Sequence, residues 1–169
     1  MNIDEVKKVE PIIKFEKVNF RYKSQELPTL YDISFELLPG EKMLILGASG
    51  SGKSTLANCI NGLIPFSYDG ELTGQIRIAG KDPRKASIFE LSKSVGTVLQ
   101  DSDAQFVGHS VGEDIAFSME NDMMPRREML PLVKRYAGTV GMQDFLQHIP
   151  FDLSGGQKQK VAIAGTLGA

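Results

Sequence analysis

The sequence has a single cysteine, Cys59, so no internal disulfide can form and the chain suits a reducing compartment. It has no excess of either charge: 19 Lys and Arg stand against 21 Asp and Glu, a net charge of −2, so no basic field invites nucleic acid. No apolar stretch approaches the roughly 18 residues that span a bilayer. The N-terminus carries Asp4 and Glu5 where a secretory signal needs an apolar run. The expected place is therefore the cytoplasm, with any membrane link made through a partner. Internal repeats and low-complexity linkers are also missing. What remains is a 169-residue chain, 41% hydrophobic and 24% charged, which is the composition of one ordinary globular domain.

Residues 12–22 read as a strand with a defect. Ile13 and Phe15 hold one phase of alternation, Val18, Phe20 and Tyr22 the other, which implies a bulge near Glu16–Lys17. In 31–37, Tyr31, Ile33, Phe35 and Leu37 alternate with polar residues, the pattern of a half-exposed antiparallel strand. Pro39-Gly40 supplies a turn. Met43–Leu46 then runs without alternation, as a strand buried on both faces would. Gln75–Ala79 and Val95–Leu99 are further candidate strands. From about 110 the pattern becomes helical. Ser110 and Glu113 have capping-box spacing. Residues 126–140 form a second helical segment that Pro131 should delay or kink, and 157–169 a third with Val161, Ala164 and Leu167 on one stripe. The expected fold is α/β: about 1–100 an antiparallel layer and a core, about 101–153 a helical insertion, and 154–169 a final helix.

Gly47, Ala48, Ser49, Gly50, Ser51, Gly52, Lys53, Ser54 and Thr55 follow the apolar run directly and precede a helix. Glycines in such a loop let successive amides turn inward toward phosphate oxygens, and the following helix adds the positive end of its dipole. In this pattern the lysine reaches the β- and γ-phosphates and the first hydroxyl ligates Mg²⁺, which makes Lys53 and Ser54 the candidates.

Further on lies Leu153-Ser154-Gly155-Gly156-Gln157, followed by Lys158, Gln159 and Lys160. The pair of motifs resembles the Walker A loop and LSGGQ signature of the ABC ATPases. The resemblance covers nearly the whole chain and implies a P-loop fold that binds and hydrolyses ATP with Mg²⁺. It implies that Ser154, Gly155, Gly156 and Gln157 face ATP held by a second ATPase subunit, as a homo- or heterodimer. Ser154 and Gln157 also have capping-box spacing, and both roles can hold at once. By the same resemblance Gln100 is the Q-loop glutamine at the metal or the attacking water, Tyr22 the aromatic that stacks on adenine, and Thr55 a hydroxyl for the α-phosphate. His109 and His148 read as surface residues, because the family's switch histidine follows the signature. Lys160 departs from the arginine more usual there, keeping the charge but losing the fork.

The runs Gln100–Phe106 and Val111–Phe117 resemble the ATPase subunits of energy-coupling-factor importers of vitamins and of cobalt or nickel ions. A transmembrane transporter subunit is then the expected partner, and the inner face of the membrane the expected place. Glu113 and Asp114 read equally well as ordinary first-turn acids. The family pattern continues past the signature with a Walker B aspartate, a catalytic glutamate, a D-loop and the switch histidine. This chain ends at Ala169 before them, so it is expected to be a fragment, inactive alone. A non-catalytic nucleotide-binding module and a soluble ABC ATPase of another process are the alternatives. Nothing in the sequence names a transported substrate.

Overall fold

The computed structural model describes residues 9–101 and 103–168, so the acidic N-terminal stretch lies outside the described residues. The chain forms two compact units, one up to Val95 and one from Gly96 on.

The first unit is built on a three-stranded antiparallel sheet in the order β2-β1-β3, with β1 at Ile13–Tyr22, β2 at Leu30–Leu37 and β3 at Gly70–Ile78. The bulge in β1 is where the change of phase puts it: both ladders shift register across residues 15–19, and Lys17 has a φ of 49°. That shift lets Phe15, Val18 and Phe20 all point into one core despite their broken alternation. In β2, Asp32 has a φ of 48°, which takes Tyr31 out of phase. Tyr31 is therefore exposed and Leu30 takes the buried place, against the expectation of one clean stripe from Tyr31 to Leu37. Helix α1 (Lys53–Ile60) and a helical turn α2 (Leu63–Phe66) add Leu56, Cys59 and Ile64 to the same core, and α3 (Ile88–Ser92) adds Leu91. After β3, Arg84 forks onto Asp82 at 2.8 and 2.9 Å and reaches the Gly74 carbonyl. Its guanidinium holds the Asp82 carboxyl below the usual carboxylate range.

The second unit is helical: α4 (Val111–Asn121), α5 (Arg126–Thr139) and α6 (Gly155–Thr166) enclose Val111, Ile115, Met119, Met129, Val133, Val161 and Ala164. Helix α5 starts at Arg126 and runs through Pro131, so the proline does not delay it. Pro131 is the sixth residue of the helix, past the leading N–H groups that lack partners, so it forgoes the bond an N–H there would make to the Arg127 carbonyl. Leu167 is 45% exposed, so the stripe of α6 is Val161 and Ala164, joined by Ala162.

Two expected strands do not form. Residues 41–48 have no regular secondary structure, and Met43, Leu44, Ile45 and Leu46 are 42, 80, 41 and 80% exposed. Residues 96–99 are likewise irregular, with Val98 and Leu99 exposed. An apolar run becomes a strand only when a neighbouring ladder takes its N–H and C=O groups. Among the described residues no strand pairs with either run.

Candidate functional site

The loop at 47–52 enters α1 by an unusual backbone path. Gly50 and Gly52 have φ of +79° and +89°, where a side chain costs about 1–2 kcal/mol. At Gly52 a Cβ would also stand 2.9 Å from the Thr29 carbonyl oxygen. Helix α1 then begins with no side-chain cap and no acid in its first turn. Its leading N–H groups and the positive end of its dipole are thus available to an anion. The Lys53 ammonium donates to the carbonyls of Gly47 at 2.9 Å and Ala48 at 2.7 Å, which fixes a positive charge at the mouth of the loop. Ser49, Ser51 and Ser54 are exposed beside it, and the Ser51 amide donates to the Ala48 carbonyl at 3.2 Å. Residues 25–29 border Gly50 and Ser51 across a groove of about 600 Å³. A backbone cradle, a lysine and an exposed serine are a donor set suited to a polyphosphate with a bound cation.

Tyr22 and Thr55 belong to the same unit. The hydroxyl of Tyr22, at the end of β1, lies 3.0 Å from that of Thr55, which is buried in α1. Cys59, one turn further on, is buried, and burial pushes its thiol up to about 12. It stays protonated and carries no chemistry.

In the second unit, exposed Gln100 follows a segment held by one side chain. The Gln105 amide oxygen accepts from the Leu99 N–H at 3.0 Å, and its amide nitrogen donates to the Thr97 carbonyl at 3.3 Å. Gln105 thus supplies to residues 97–99 one donor and one acceptor that a neighbouring strand would otherwise bring. Sequence reading missed this role; a primary amide five residues after Gln100 in a turn-forming run was the available signal. The loop that follows is tied to α4. Asp114 accepts from the N–H groups of Val107 and Gly108 at 2.8 and 3.1 Å, and Glu113 from that of His109 at 2.9 Å. The expected capping box is therefore half formed: Ser110 accepts from the Glu113 N–H, but Glu113 reaches back one residue beyond Ser110. His109 and His148 are both exposed.

Helix α6 begins differently from α1. Ser154 accepts from the Gln157 N–H at 3.4 Å, and Gln157 accepts from the Ser154 N–H at 2.9 Å, a complete capping box. Ser154, Gly155 and Gly156 are exposed, and a Cβ added at either glycine would meet nothing within 4 Å. Two helix glycines cost about 1 kcal/mol each relative to alanine. Among the described residues no close contact demands them.

A polyphosphate cradle at one helix start and a glycine pair at another define the class, an α/β nucleotide-binding protein with a P-loop. The particular family follows from comparison: the ABC transporter profile matches residues 30–168, and the chain belongs to that family, whose members are ATPases. It is 59% identical over 159 residues to a protein of Bacillus thuringiensis subsp. konkukian described as an ABC transporter ATP-binding protein. It is 51% identical over 158 residues to one of Staphylococcus aureus. Each match covers 94% of this chain, and this chain spans 28% of the length of each relative. Among solved structures it is similar to CbiO1 of Clostridium perfringens, part of the ABC transporter complex CbiONQ, at 33% identity and a TM-score of 0.82, over 94% of this chain and 61% of that one. It also resembles a bacterial Atm1-family ABC exporter with ATP bound, at 31% identity and a TM-score of 0.74, over 94% of this chain and 28% of that one. Among the described residues no helix is long and apolar enough to cross a membrane.

Proposed function

We propose that this chain is the ATP-binding and ATP-hydrolysing part of an ABC importer of the energy-coupling-factor kind. The entrance to α1 carries the reading: left-handed Gly50 and Gly52, an uncapped helix start, and Lys53 bound across the loop. The phosphates of ATP rest against the amides of Gly50–Thr55, with Lys53 on the β- and γ-phosphates. The Ser54 hydroxyl would ligate Mg²⁺, and the ion would offset charge on the phosphates. Tyr22 stacks on adenine. Ser154, Gly155, Gly156 and Gln157 meet the ATP of a second ATPase subunit, to which α6 offers its N-terminal amides.

The importer reading leans on the likeness to CbiO1, part of a multi-subunit complex. A transmembrane subunit would then dock on residues 101–125 and hold the chain at the inner face of the cell membrane. The likeness to the exporter supports a second reading with the opposite direction of transport, at a lower TM-score. Two measurements on the full-length gene product test the proposal. Lys53→Ala should weaken Mg-ATP binding about 10- to 100-fold, the loss of hydrogen bonds to a charged group, and remove turnover. Unchanged binding and turnover would overturn the site. Vesicles reconstituted with the co-purifying membrane subunit should take up substrate on the side opposite the ATPase; extrusion instead would favour the exporter reading.

A further inference from the structure

Tyr22 and Thr55 come from elements 33 residues apart, yet their hydroxyl oxygens lie 3.0 Å from each other. The Tyr22 ring is held as well as its oxygen. Phe20 packs against it edge-on, with centroids 4.7 Å apart at 80°, and Tyr68 meets it at 6.2 Å and 86°. Thr55 is 6% exposed and sits in the first turn of α1, one residue after Ser54. A threonine inside a helix can give its proton to the carbonyl one turn back. Among the described residues Thr55 has no such bond, and Tyr22 is the one hydrogen-bond partner of its side chain. A hydroxyl has one proton to donate and two lone pairs to accept with. If Tyr22 donates to Thr55, the Thr55 proton is left to an acceptor held at the start of α1.

We propose that Tyr22 is a positioning residue as well as a stacking one: its hydroxyl donates to Thr55 and commits the Thr55 proton to a nucleotide phosphate. The inference rests on the nucleotide reading of the loop and adds a link between its two ends. The base end, at Tyr22, and the phosphate end, at Thr55, become one hydrogen-bonded unit, in which each bond polarises the next. Tyr22→Phe would keep the ring and its edge contacts but break the link.

Equilibrium binding of ATP and ADP to the full-length gene product separates this from simple stacking. Tyr22→Phe should weaken binding about 3- to 10-fold, the worth of one neutral hydrogen bond. Thr55→Val should do at least as much, and the double variant should be no worse than Thr55→Val alone, because the two residues act through one chain. Thr55→Ser, which keeps the hydroxyl, should bind as the wild type does and restore the Tyr22→Phe penalty. Unchanged affinity in Tyr22→Phe, or penalties that add in the double variant, would overturn the proposal while leaving the nucleotide site standing. Failure of the wild type to bind ATP would overturn both.

Discussion

The starts of α1 and α6 solve one problem in opposite ways. Every helix begins with N–H groups that lack partners. At α6 the chain satisfies two of them itself, those of Ser154 and Gln157, through reciprocal bonds. At α1 no side chain caps the helix, and the approach through Gly52 is in the left-handed region. Glycine has a different use in each. Gly52 is needed by its own backbone and by the Thr29 carbonyl beside it, whereas Gly155 and Gly156 stand in open space. Gly52 is thus required from within, while no described neighbour sets the requirement at Gly155 and Gly156.

The sharpest break of this comparison is an alanine at each kind of glycine. Gly52→Ala should destabilise the protein by about 1–2 kcal/mol and weaken ATP binding, measured by thermal melting and titration. Gly156→Ala should instead raise stability by up to about 1 kcal/mol and leave ATP binding unchanged, yet lower ATP turnover. If Gly156→Ala turned over ATP like the wild type, the glycine pair would have no partner to admit. Ser154→Ala should come next, costing about 1 kcal/mol of stability through the lost cap, read from the midpoint of a denaturant titration. A loss of turnover beyond what melting explains would separate its phosphate-facing role from its capping role. The smallest expected change in stability is Gln105→Ala, about 0.5–1.5 kcal/mol for bonds near the surface. Faster hydrogen exchange at the Leu99 amide would be its direct signature, and unchanged protection there would show that the clamp does not hold in solution.

Much of the site was legible because its determinants are local. A glycine-rich run ending in Lys53 and Ser54 dictates its own backbone path, and Ser154 with Gln157 three residues later dictates a capped helix start. The bulge in β1 was legible for the same reason, since a change of phase within seven residues leaves no other way to keep Phe15, Val18 and Phe20 on one side. The contacts of Tyr22 and Gln105 were not legible. Aromatic and amide side chains suit many settings, and their partners here, Thr55 and the Thr97–Leu99 backbone, are chosen by tertiary placement.

Composition, periodicity and the two motifs by themselves determined an α/β chain with an antiparallel layer, a helical segment and a nucleotide-binding loop. Only the tertiary structure decided which apolar runs became strands. Met43–Leu46 has the side chains of a buried strand, but its environment is exposed, whereas Leu30 is buried and Tyr31 turned outward by one residue with positive φ. Periodicity records what a side chain prefers, while burial and ladder pairing depend on which segment lies alongside, and that is a long-range property no single run encodes.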